Sequence, residues 1–318
     1  MTSSHHAGTG SEPTKVPPIT AVIVSYHSRR TIGAALSTLR PSKDSGLLDV
    51  VVVDNDSSDG TPQYVREEFP WVKLVEAGGN LGFGRGCNLG FEHSRSPYTL
   101  FHNPDATLPH EALKTLFEFI DARPEVAICA PSIREGDGLM QTAGVLPTPT
   151  GLLRQAVGLE GYPEMREIPS GAEPFQTTWL CGAMLLVRSD VFRRVGGFDP
   201  RFFLYFEETD LCRRIMEEGY ELWAVGTACA EHECGASTKL LATSLVDQCA
   251  SDHFYKSRYY YLVKHHGWLA ATVAEAGVVP LLGVRSIARR IAGKDNDGAF
   301  KARIEAPILQ LPAPIESA

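Results

Sequence analysis

Apolar and polar positions alternate between two rhythms up to about Pro131. The runs ITAVIVSY (Ile19 to Tyr26) and LLDVVVVDN (Leu47 to Asn55) are almost unbroken in apolar, β-branched residues, as strands covered on both faces must be. Between them, RRTIGAALSTLR sets Ile32, Leu36 and Leu39 at helical spacing. WVKLVEA, YTLFHNPD and VAICAPSI predict further strands, while Thr61 to Phe69, Arg85 to His93 and Pro109 to Ala122 predict helices. This alternation predicts an α/β fold with a Rossmann-like, mostly parallel central sheet flanked by helices.

Beyond Pro131 the rhythm breaks. Glu135 to Pro174 is rich in Gly and Pro and predicts loops with a short hairpin or helix. TTWLCGAMLLVR predicts a strand, RSDVFRRVGGFD a short helix closed by a glycine turn, TDLCRRIMEEGY a helix and ELWAVGTACAEH a strand. Ser244 to His266 and Trp268 to Ala292 predict two long helices. Residues 1–18, polar and without an apolar core, predict a disordered leader rather than a signal peptide.

Composition narrows the class. With 318 residues, 43% hydrophobic and 21% charged, the chain can bury a sizeable core. A net charge of -8 argues against a nucleic-acid partner. Seven cysteines, irregularly spaced and without a Cys-x-x-Cys pair, argue against a disulfide framework and for the cytoplasm.

Candidate chemistry gathers where predicted strands end, which is where parallel α/β sheets bind ligands. VVVDNDSSDG ends in Asp54 and Asn55, which can accept and donate hydrogen bonds to a base or ribose. Ser57 and Asp59 read as capping residues for the next helix. GGNLGFGRGCNLG lets the backbone approach a ligand closely and offers Arg85 to a phosphate, but it lacks the Gly-Lys-Ser/Thr of a Walker loop. Asn103-Pro104-Asp105 offers an oxygen ligand for Mg²⁺ or Mn²⁺, or else an Asn-Pro turn, and His232 could join it. FFLYFEETDLCRR crowds Glu207, Glu208 and Asp210 beside four aromatic residues, either as a charged helix start or as a catalytic carboxylate in a partly dry pocket.

Taken in order, VVVDNDSSDGT, GNLGFGRGCN, NPDATL, CGAMLLVRSDVFRRVGGFDPRFFLYFEETDLCRR and HECGAST resemble the family 2 glycosyltransferases, and more narrowly their bacterial rhamnosyltransferase-like branch. The resemblance runs from about Ile19 to Trp268. It implies a GT-A fold and inverting transfer of a sugar from a nucleoside diphosphate donor. It further implies nucleotide-sugar contacts at Asp54, Asn55, Asn80, Arg85 and Asn103, and a divalent cation, Mg²⁺ or Mn²⁺, on Asp105 and His232. Asn103 replaces the first acid of the family's Asp-x-Asp motif. Glu208 falls at the general-base position, where the family usually has Asp; Glu207 and Asp210 are its rivals, although Asp210 has Arg213 and Arg214 within helical reach. Asp199 reads as a turn or cap residue.

The branch implies dTDP-rhamnose as donor and a glycan or lipid-linked acceptor in cell-envelope polysaccharide synthesis; UDP- and GDP-sugars share the same motifs. The organisation expected is a leader (1–18), a catalytic domain (19–240), a helical extension (241–300) and a tail (301–318). Residues 268–303, apolar and then basic, form either a helix packed on the catalytic domain or a peripheral contact with the inner face of the cell membrane. Glu275 and Pro280 interrupt the apolar run, which makes it a poor membrane span. The rival from another class is a sugar-nucleotide-binding protein of the same fold without catalysis.

Overall fold

In the computed structural model, the described residues are 16–136, 138–139, 141–159, 165–232, 244–293, 299–305 and 309–311. Most of the leader, Cys234, the end of the HECGAST motif and parts of the tail lie outside them.

The apolar runs form the expected parallel strands. β1 (Ile19–Ser25) pairs in parallel with β2 (Leu48–Asp54) and with β4 (Tyr98–His102), and β2 pairs in parallel with β3 (Lys73–Glu76). Between them run α1 (Ile32–Asp44), α2 (Thr61–Glu68) and α3 (Phe83–Glu92). Every residue of β1 is buried, which explains its lack of alternation. One face of the sheet packs on α1 and on α4 (His110–Asp121) through Ile32, Leu36, Leu113 and Leu116. The other packs on α3, where Gly90 permits close contact: a Cβ there would lie 2.3 Å from Val22.

One short strand matters for the site. β5 (Ala106–Thr107) follows the Asn-Pro-Asp turn, and the ten-residue β6 (Val126–Glu135) continues the sheet. The Gly/Pro-rich stretch supplies β7 (Gly138–Leu139), β8 (Gln141–Gly144), α5 (Pro149–Ala156), β9 (Met165–Glu167) and β10 (Phe175–Thr177). The predicted strand TTWLCGAMLLVR is broken. β11 (Trp179–Leu180) pairs with β8 in a small second sheet, whereas β12 (Met184–Arg188) enters the main sheet antiparallel to both β4 and β6. Residues 181–183 turn between the two sheets, and the Ala183 carbonyl accepts the Asn103 amide at 3.0 Å.

α6 (Ser189–Arg194) ends at Gly196 and Gly197, both with positive φ. α7 (Glu207–Glu217) begins two residues earlier than the TDLCRRIMEEGY pattern predicts and so takes Glu207 and Glu208 into its first turn. β13 (Glu221–His232) completes the sheet order β10-β13-β6-β12-β4-β1-β2-β3. α8 (Ser244–His266) and α9 (Trp268–Ile291) match the two expected C-terminal helices, and α10 (Ala299–Glu305) follows. Phe202 and Phe206 share a core with α5, α8 and α9, so the C-terminal helices buttress the loop before α7. α9 is long and apolar enough to cross a membrane by length and composition. Its Glu275, however, is buried against Arg258 and Arg303.

Candidate active site

The two ends of the candidate cation site lie far apart in sequence and meet through β5. This strand pairs antiparallel with the end of β13, His232 against Ala106, which brings the imidazole over the Asn-Pro-Asp turn. His232 Nε2 stands 3.2 Å from Asp105 Oδ1 and 3.3 Å from the Asn103 side-chain Nδ2. Asp105 and His232 are both nearly buried. Two ligand atoms about 3 Å apart match one edge of an octahedron whose metal–oxygen distances are about 2.0–2.1 Å. One carboxylate and one imidazole, with an amide beside them, suit Mn²⁺ or Mg²⁺ better than a soft ion. Among the described residues, no third acid, histidine or cysteine joins this pair. The residues present therefore fit a divalent cation that takes its remaining ligands from a substrate and water. Next to them, burial holds the His102 imidazole down to about 4, so it stays neutral.

Asp54 closes β2 with its carboxylate buried; Oδ2 accepts the Ser57 amide at 2.8 Å, while Oδ1 has no protein partner. Asn55 is buried as well, its Nδ2 donating to the Gly82 carbonyl at 3.0 Å and its Oδ1 left unpaired. Two buried acceptors without donors, side by side at a strand end, are costly unless a ligand supplies the donors. Asp59 accepts the amides of Thr61 and Arg29 and Ser57 that of His27, so these two residues order the loop. Asn80 Oδ1 accepts the Gly82 amide at 3.0 Å, and both Asn80 and Arg85 on α3 are exposed.

Gly82 is a junction that sequence reading leaves undistinguished among its neighbouring glycines. Its φ of 81° and ψ of 175° lie in a region open only to glycine, and a Cβ would lie 2.2 Å from the Phe203 carbonyl. That carbonyl accepts the Phe83 amide at 3.0 Å. One glycine thus joins the end of β2 at Asn55 to the loop that carries the acids.

The acid loop ends in two consecutive left-handed residues, Tyr205 (φ 67°) and Phe206 (φ 68°). Left-handed backbone is uncommon for bulky side chains and persists where the surroundings enforce it. Phe206 packs on Phe254 and Tyr261, and the Ser257 hydroxyl donates to the Leu204 carbonyl. This turn puts Glu207 and Glu208 at the N-terminus of α7. Glu207 is buried, with one unpaired oxygen, and a Cβ at Gly84 would lie 3.4 Å from it. Glu208 is half-buried over Gly182, next to the Ala183 carbonyl that holds Asn103, and accepts the Thr209 hydroxyl at 3.3 Å. Thr209 is held in turn by the Trp179 indole at 2.9 Å. Burial raises both carboxyls above the usual glutamate range, and in Glu207 the Glu208 charge adds to it. Glu208 is the less buried of the two and lies over Gly182, while Glu207 packs against α3, so sequence position alone does not distinguish the pair.

Asp210 is withdrawn from the cleft. Its carboxylate is bound by Arg214 at 2.7 Å, Lys264 at 2.6 Å and His265 at 2.7 Å. Of the two arginines in helical reach, Arg214 is the partner and Arg213 binds Glu217. Asp199 does order a turn, accepting the Arg201 amide, and it is also a buried ion that binds Arg201, Lys264 and Tyr260.

A mixed sheet with this order, bearing a His–Asp pair at its edge and buried acids at a helix start, has the architecture of the GT-A glycosyltransferases. Residues 20–196 match glycosyl transferase family 2. The N-acetylglucosaminyl-diphospho-decaprenol L-rhamnosyltransferase of Mycobacterium tuberculosis is 31% identical over 283 residues, covering 81% of this chain and 88% of the relative. Rhamnosyltransferase WbbL of Escherichia coli is 26% identical over 220 residues, covering 66% and 81%. The mannosyltransferase PcManGT of Pyrobaculum calidifontis, solved with GDP-Man and Mn²⁺, superposes with a TM-score of 0.55 at 18% identity, over 92% of this chain and 81% of its own. The chain belongs to glycosyl transferase family 2 and resembles its bacterial rhamnosyltransferases.

Proposed function

We propose that this protein is a metal-dependent inverting hexosyltransferase of cell-envelope glycan synthesis. It moves rhamnose from dTDP-rhamnose to a hydroxyl of a lipid-linked glycan at the inner face of the cell membrane. The observation that carries this reading is the meeting of Asp105 and His232 at 3.2 Å, across 127 residues of sequence, at the strand end next to the Glu208 loop. The rhamnosyl and lipid-linked parts rest on the relative that is 31% identical, whose name specifies both.

Asp54 and Asn55 bind the base and ribose through their unpaired oxygens, Asn80 shapes the adjoining turn, and Arg85 and Asn103 face the donor. Asp105 and His232 hold a divalent cation, which when bound neutralises charge on the leaving diphosphate. Glu208 accepts the proton of the acceptor hydroxyl as that oxygen bonds to the anomeric carbon. The bond from this carbon to the diphosphate breaks on the opposite face, and the nucleoside diphosphate departs. The exposed Phe203 and Tyr205 rings flank the acid loop on its solvent side, where they can pack on a bound sugar. Glu207, packed against α3 with its carboxyl raised by burial and by the Glu208 charge, stands apart from the proton transfer.

The test is calorimetry with dTDP-, UDP- and GDP-sugars, each in Mn²⁺ and in EDTA. We expect metal-dependent binding of dTDP-rhamnose, abolished in Asp105→Ala. Equal affinity in EDTA would remove the cation from Asp105, and binding without turnover on any acceptor would favour a non-catalytic sugar-nucleotide-binding protein.

A further inference from the structure

Beside the acid loop, but outside the cleft, α5, α8, α9 and α10 enclose a cavity of about 300 Å³. Arg258, Arg285 and Arg303 line it together with Tyr255, Phe254 and Leu282. Its cations are held in place. Glu275 binds Arg258 through two contacts of 2.7 Å and Arg303 at 2.8 Å, and the Tyr255 ring lies between these guanidiniums, at 4.7 and 4.6 Å. Arg285 donates to the Gln155 carbonyl of α5. Three guanidiniums against the Glu275 carboxylate leave this concave, half-apolar space with an excess of positive charge, which suits phosphate oxygens.

The cavity borders both the chemistry and a lipid-like surface. Phe254, in its wall, packs on Tyr205 and Phe206, directly before Glu207. On the outside of α9, Leu269, Val273, Val284, Ile287 and Ile291 are 57–83% exposed and fall along a single helical stripe. At 1.5 Å per residue that stripe runs about 33 Å. Trp268 stands exposed at its start, and Arg285, Arg289 and Arg290 fill its last two turns, the pattern of a helix lying on an anionic bilayer. Arg285 adjoins Val284 of the stripe and reaches the cavity.

We infer that this cavity holds the phosphate of an isoprenoid-linked acceptor, presented from a bilayer on which α9 lies. The inference rests on the lipid-linked acceptor proposed above. It gives the C-terminal helices a substrate role: they fix the acceptor's charged end while its sugar reaches the acid loop.

The test uses the full chain and vesicle co-sedimentation. Phosphatidylcholine vesicles carrying a few mole per cent of a polyprenyl phosphate are compared with vesicles made equally charged by phosphatidylglycerol. We expect the polyprenyl phosphate vesicles to bind at least about tenfold more tightly, the worth of one charge-assisted hydrogen bond. Arg285→Ala and the cavity-filling Leu282→Trp should lose this preference while melting within a few degrees of wild type. Equal binding to both vesicles, or an unchanged preference in Arg285→Ala and Leu282→Trp, would overturn the inference. Inorganic diphosphate, titrated in EDTA, should bind more weakly than the polyprenyl phosphate; equal affinity would make this a site for a free anion and equally overturn it. If wild-type protein shows no preference yet still binds a nucleotide sugar in a metal-dependent way, the cavity loses its role and the transferase reading stands.

Discussion

The first turn of α7 carries Glu207, Glu208 and Asp210, and the two ends of that turn treat a carboxylate in opposite ways. Around the glutamates, burial dominates and no cation is paired with them among the described contacts, so both carboxyls are pushed up. Asp210 is fully buried, and burial pushes it up too, but His265, Arg214 and Lys264 outweigh that and hold it below the usual aspartate range. Asp199 shares Lys264 and is likewise held low, by Arg201 and Lys264 against its burial. Burial alone therefore does not set a carboxyl's fate: the cations supplied by α7 and α8 decide which buried acid is held as an ion and which is pushed up.

The largest effect expected from breaking this contrast is on stability. Asp210→Ala leaves Lys264, Arg214 and His265 facing an empty carboxylate site and should cost about 3–5 kcal/mol, the usual loss when one partner of a buried ion pair is removed. Chemical denaturation measures it, and a loss below about 1 kcal/mol would place Asp210 with weak surface pairs.

Gly82→Ala comes next. Left-handed extended backbone costs a side chain on the order of 1–3 kcal/mol, and the Phe203 carbonyl leaves no room for the Cβ. The variant should lose stability on that scale and lose transfer as the acid loop parts from the glycine loop. A fully active Gly82→Ala would show that the junction does not position Glu208.

The pH responses of the two regions should have opposite signs. The folded pKa values of Asp199 and Asp210 lie below the ordinary aspartate value of about 3.9. Their stabilisation is thus complete above that value and is lost as pH falls through the lower folded values. Glu207 and Glu208 lie above the ordinary glutamate value of about 4.3, so their contribution is present below it and is lost as pH rises through the folded values. Since the base must be ionised, the acid limb of kcat/KM should lie above about 4.3. The smallest effect sharpens this further: burial, rather than the charge of Glu207, raises Glu208, so Glu207→Gln should leave that limb unshifted in the pH profile of kcat/KM while transfer persists.

Much of this was legible in the sequence. The nearly all-apolar runs of β1 and β2 read as buried strands, and Asp54, Asp105 and Glu208 are acids at strand or helix ends. Two kinds of fact were hidden. The break at 181–183 depends on a choice between two sheets, which an apolar run such as TTWLCGAMLLVR does not encode. The fate of Asp210 depends on Lys264 and His265, more than fifty residues away, and no local period announces that pairing. The left-handed Tyr205 and Phe206 carry no glycine or asparagine to mark them, because packing by α8 enforces that backbone.

The most direct test of the account is Glu208→Gln, assayed for both donor binding and sugar transfer. The account predicts donor affinity equal to wild type and transfer reduced by at least about a hundredfold, the worth of a positioned general base. Near-normal transfer would contradict it and move the base away from Glu208.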